Sequence, residues 1–178
     1  DLSDFVKVNG GTVSGAVADS KVFIEGRTVT IRDLYVCEHE VTQKEFGTYM
    51  KQYLPQYADN QIYDWESTDY PVCWGSWYDA IIYCNLRSKA DGLTPVYYIE
   101  IDDKNETDID KWINIIPEYI TGKKRLVKEE GKYVWRGAQV GNGSFCTELD
   151  EGIQFNQDAN GYRLPTEVEW EYIARGGN

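Results

Sequence analysis

The chain has 178 residues, enough to bury a sizeable core as one domain, and its 42% hydrophobic content excludes compositional disorder. Eighteen basic against thirty acidic residues leave a formal charge of −12, which repels phosphate backbones and anionic lipid surfaces and argues against a nucleic-acid partner. No apolar run approaches membrane-spanning length, so no membrane-spanning segment is expected.

In chain order, Phe5 to Val8 is a strand candidate followed by the turn signal Asn9-Gly10-Gly11. Lys21 to Glu25 and Arg27 to Ile31 flank Glu25-Gly26 and suggest a hairpin. In its second arm Val29 and Ile31 point one way and Thr28 and Thr30 the other. Leu34 to Cys37 continues extended into a first helix. That helix starts at Thr42-Gln43-Lys44-Glu45, a Ser/Thr-x-x-acid capping box, and carries Phe46, Tyr49, Met50 and Tyr53. Residues 54–73 read as loop.

A second box, Ser76-Trp77-Tyr78-Asp79, opens a helix to Ala90 that carries Trp77, Ala80, Ile81 and Cys84 and stops at Asp91-Gly92. Tyr97 to Ile101 is a strand candidate. Residues 96–158 read as insertion-like. Within them, Asp102 to Asp108 is a charged, solvated stretch with a superficial likeness to a calcium loop. It lacks the central glycine, and Asn114 stands where the closing glutamate belongs, so calcium is discounted. Asp110 to Ile116 is read as a short helix stopped by Pro117. Leu126 to Lys128 and Lys132 to Trp135 form a hairpin around Glu129-Glu130-Gly131, and Gln139 to Asp158 reads as loop.

The chain closes on Asn160-Gly161-Tyr162-Arg163-Leu164-Pro165-Thr166-Glu167-Val168-Glu169-Trp170-Glu171-Tyr172-Ile173-Ala174-Arg175-Gly176-Gly177. Thr166 and Glu169 make a third capping box. Val168, Tyr172 and Ile173 form an apolar face, Glu167, Glu169 and Glu171 sit where the helix dipole favours negative charge, and the glycine pair ends the helix.

Candidate functional residues are few. The four cysteines, Cys37, Cys73, Cys84 and Cys146, show no C-x-x-C spacing, and the lone His39 is the only nitrogen ligand on offer, so zinc is poorly supported. Cys37 and Cys84 read as small buried hydrophobes; a Cys73–Cys146 disulfide stays open. His39, between Glu38 and Glu40, reads as a strand-end residue paired with a carboxylate in preference to a general base. Arg163 and Arg175 read as partners of Glu167, Glu171 or loop carbonyls in preference to a ligand carboxylate. Trp65, Tyr70, Trp74, Trp77 and Tyr78 read as a cluster that is half core and half groove lining.

Four ordered blocks carry a family resemblance. They are Phe5-Val6-Lys7-Val8-Asn9-Gly10-Gly11-Thr12; Tyr35 to Phe46; Tyr70-Pro71-Val72 with Gly75 to Asn85; and Gly161 to Tyr172. Together they resemble the formylglycine-generating enzyme family, also called sulfatase-modifying factors. The resemblance implies an α+β fold of C-type-lectin-like, formylglycine-generating type, with mixed, mostly antiparallel strands, few helices and much loop. It also implies that residues 1–178 are a single domain forming the N-terminal portion of that fold, completed by a second fragment or by further sequence.

Enzymes of the family oxidise a substrate cysteine with oxygen and copper held by two cysteines that follow the Arg-Gly-Gly block. None of the four cysteines here matches those positions, so no catalytic, cofactor-binding or metal residue is assigned and no cofactor is expected. The opening Gly-Gly-Thr-Val-Ser-Gly and the run Arg27 to Cys37 look most like the non-catalytic bacterial surface and lipoprotein-type branch, which includes variable proteins diversified by retroelements. The expectation is therefore a ligand-binding and display scaffold rather than an enzyme. It would be extracellular or on the cell surface, lipid-anchored through a removed N-terminal segment, and would meet a protein or other macromolecular ligand through a C-terminal surface outside this chain. The alternative is the N-terminal part of a copper-dependent oxidase acting on a sulfatase cysteine.

Overall fold

A computed structural model describes residues 3–15, 26–51, 64–73, 77–112, 125–129, 132–136 and 153–177. The described chain divides into two compact units, residues 1–40 with 164–178, and residues 41–163.

The first unit is built on two antiparallel ribbons. Strand β1 (Phe5–Val8) pairs with β4 (Leu34–Cys37), matching Phe5 with Cys37 and Val8 with Leu34. Strand β2 (Gly11–Ser14) pairs with β3 (Thr28–Ile31), from Gly11 opposite Ile31 to Ser14 opposite Thr28. The alternation expected of β3 is present: Ile31 is buried, while Thr28 and Thr30 are exposed. Their hydroxyls meet those of Ser14 and Thr12 at 2.8 and 3.0 Å, a cross-strand ladder on the solvent face.

Strand β2 was not expected, because Gly11 reads as turn. The arm Lys21 to Glu25, expected to pair with β3, lies outside the described residues. The turn ahead of β2 is held by Asp33, which accepts the Gly10 N–H at 2.9 Å and pairs with Lys7 at 2.8 Å. The closing helix of this unit, α3 (Glu167–Ala174), has the complete Thr166–Glu169 capping box. Its Tyr172 is buried, and the hydroxyl donates to the Asn9 carbonyl at 2.9 Å. Helix α3 thereby clamps the β1–β2 connection, 163 residues away in sequence.

The second unit contains helices α1 (Gln43–Met50) and α2 (Trp77–Ala90). The Thr42–Glu45 box caps α1 as expected. Ser76 lies outside the described residues, so the second box has no structural counterpart to report. Helix α1 buries Phe46 and Met50, and Phe46 and Tyr49 pack on Tyr83 of α2 with ring centroids 5.3 and 5.8 Å apart. Strand β5 (Tyr97–Ile101) is central in a three-stranded antiparallel sheet between β6 (Lys104–Glu106) and β9 (Ile153–Phe155). Strands β7 (Arg125–Glu129) and β8 (Lys132–Arg136) form the expected hairpin.

Three short elements depart from expectation. The charged stretch after β5 is a hairpin: Asp102 and Asp103 take φ of 49° and 59°, as a two-residue turn with both central residues left-handed requires. Asp supports that conformation better than most residues, which accounts for the acidic pair at the turn. The stretch read as the helix Asp110 to Ile116 is, where described, a single 3-10 turn over Ile109–Lys111. Strand β9 falls within residues read as loop. With β5 and the residue before it, these pieces supply core: Val96, Tyr97, Ile99, Ile109, Trp112 and Ile153 are all buried.

Candidate functional site

Among the described residues, a dense polar arrangement lies on α2 and the two segments that pack on it. Asn85 is buried, accepts the Tyr97 N–H at 3.1 Å and donates to the Tyr97 carbonyl at 2.7 Å and the Thr107 carbonyl at 3.4 Å. One side-chain amide thus supplies the hydrogen bonds that the first residue of β5 needs. One turn on, Ser88 donates to the Cys84 carbonyl and accepts the Tyr162 N–H, both at 2.7 Å. Gly161 is required there: a Cβ at this position stands 2.4 Å from the Thr94 carbonyl oxygen and 2.6 Å from Ser88 Oγ. Arg87 lies over the Tyr162 ring at 4.5 Å, donates to Tyr83 Oη at 3.0 Å and approaches Glu45 at 3.7 Å, while Tyr162 donates to Asp91 at 2.7 Å. Burial pushes the Tyr83 phenol well above its usual range, so it stays a neutral acceptor for Arg87. Asn85 fastens β5 to α2, and Ser88, Arg87 and Asp91 hold Tyr162 against α2 and the turn that ends it. Sequence reasoning placed Asn85 and Tyr162 within family blocks but offered no signal that they meet α2 and β5 in this way.

The residues singled out in the sequence are dispersed. His39 is exposed, with Nδ1 2.9 Å from the Glu40 carbonyl and 3.8 Å from Cys37 Sγ. A bond to that carbonyl uses the tautomer protonated at Nδ1, whereas one to the Cys37 thiol uses Nδ1 as acceptor. Arg175 pairs with Glu171 one turn back, as expected. Arg163 has its guanidinium 5.7 Å from the centre of the Phe155 ring, a stacking role not foreseen from its neighbours. Of the expected aromatic cluster, Trp65 is buried and packs on Gly47, where a Cβ meets its ring at 2.5 Å. Trp77 instead meets Tyr97 edge-on at 6.2 Å, and Tyr97 meets Phe155 at 6.1 Å. Tyr70 is 62% exposed. Trp74 and the side chain of Tyr78 lie outside the described residues.

The cysteines differ sharply. Cys84 is buried, and that burial pushes its thiol up to about 12. Cys37 is half-buried and Cys73 exposed; Cys146 lies outside the described residues. An open cavity of about 670 Å³ beside α1 is lined by Lys44, Thr48, Tyr49, Lys51, Trp65 and Glu66. No helix among the described residues is long and apolar enough to cross a membrane.

Short, mostly antiparallel strands, three helices among the described residues and extensive loop define the class: a mixed α+β chain with the fold of the formylglycine-generating type. The chain belongs to the sulfatase-modifying factor enzyme 1-like domain family, whose pattern it matches over residues 1–178. It is 33% identical over 179 aligned residues to a Paenibacillus barcinonensis protein named chaperone protein LppX, covering 98% of this chain and 46% of that one. Among solved structures it resembles CarF, with a TM-score of 0.56 and 24% identity over 98% of this chain and 57% of the other. It also resembles Treponema denticola variable protein 1, with a TM-score of 0.60 and 19% identity over 98% of this chain and 53% of the other. At those identities the two structures speak for the fold alone. The chain therefore spans about half the length of the relatives it matches.

Proposed function

We propose that this chain is scaffold in a non-catalytic binding protein whose partner is a polypeptide, met through a surface beyond residues 1–178. The observation that carries this reading is the 33% identity, over 98% of the chain, to a protein named as a chaperone. Likeness in fold to a variable protein fits a framework that presents a binding surface. The described polar residues fit it too, since Asn85, Ser88, Arg87 and Tyr162 are engaged in holding backbone segments. The same reading puts the protein outside the cytoplasm or on the cell surface.

The family description favours one alternative, a part of a copper-dependent oxidase that converts a sulfatase cysteine to formylglycine. The test uses the longest natural chain containing these residues. One arm follows, by light scattering, the aggregation of a chemically unfolded secreted enzyme with and without the protein. The other incubates it with Cu(I), oxygen and a sulfatase-type cysteine peptide and reads the product by mass spectrometry. Suppressed aggregation with an unchanged peptide supports the scaffold. An aldehyde product overturns it in favour of the oxidase, and inactivity in both arms removes the polypeptide-binding reading.

A further inference from the structure

We draw no further inference here: the strongest candidate, the open cavity beside α1 between Lys44, Lys51 and Trp65, carries nothing because residues 52–63, which join Lys51 to the segment bearing Trp65, lie outside the described residues and nothing in the structure shows what covers it.

Discussion

Asn85 shows how much one side chain can hold. Its amide satisfies both backbone groups of Tyr97 at a site closed to water. Replacing it with alanine strips the Tyr97 N–H and carbonyl of their partner and opens a small void. Asn85→Ala should therefore cost about 2–4 kcal/mol, read as a shift in the urea midpoint, summing two unmade bonds at about 1–3 kcal/mol each with partial relaxation. Asn85→Asp keeps the acceptor but aims a second oxygen at the Tyr97 carbonyl, so it should be no better than alanine at neutral pH. A near-silent Asn85→Ala would mean that water replaces the amide. Cys84 gives a second test at this scale. With its thiol pushed up to about 12, it should resist alkylation by iodoacetamide at pH 8 in the native state while Cys73 is modified. Peptide mapping before and after denaturation distinguishes them, and early labelling of Cys84 would contradict its burial. The sequence announced Cys84 as apolar core through its place on a helix face, but it held no sign of the Asn85 bonds, since the partners become neighbours only when β5 packs on α2.

Among the elements, legibility followed locality. Both described capping boxes could be read from four adjacent residues, because donor and acceptor are fixed by helix geometry alone. Thr166→Ala should cost about 1 kcal/mol and Thr166→Ser little, measured by thermal or urea unfolding. An unchanged midpoint for Thr166→Ala would show that the α3 start is held by other contacts. Strands β2 and β9 were not legible: each is three or four residues long, and its pairing partner is distant in sequence. The β5–β6 hairpin was hidden by its charges, which belong to a left-handed turn and to an ion pair. Glu106 accepts from Lys111 at 2.7 Å, and that hydrogen bond first, then the Asp108 N–H, holds its carboxyl below the usual carboxylate range. A lowered folded value means stability present above the unfolded value and lost as pH falls through the folded one. Acid titration below about pH 4.5 should accordingly show a component that Glu106→Gln removes. The component should be small and weakened by salt, because Lys111 is exposed. An identical acid limb in the variant would assign the loss to other carboxylates.

On the scale of the molecule, each unit is closed by contacts that join distant parts of the chain, which is why the family resemblance conveyed more than propensity did. A resemblance carries tertiary arrangement in its ordered blocks; residue periodicity carries only local structure. In the first unit Tyr172 reaches Asn9, and in the second the Gly161-Tyr162 segment seats on α2 through Ser88, 74 residues from Tyr162. Gly161 is the test of that second closure. A methyl group there meets a backbone carbonyl at 2.4 Å, and a carbonyl fixed in the loop before β5 cannot rotate away as a flexible side chain can. Gly161→Ala should cost about 1–3 kcal/mol, the range for forcing an extra carbon into a packed site. Gly92→Ala is the matched control: it has open space around the new methyl and a φ of +71°, so it carries backbone strain without a clash. If the closure depends on close approach, Gly161→Ala should also expose Cys84 to alkylation, since Ser88 binds the Cys84 carbonyl as well as Tyr162, whereas Gly92→Ala should leave Cys84 protected. Equal stability loss and equal protection in the two variants would mean that the neighbours of Gly161 yield to the new methyl, and would remove the clasp on α2 from the account of how this unit closes.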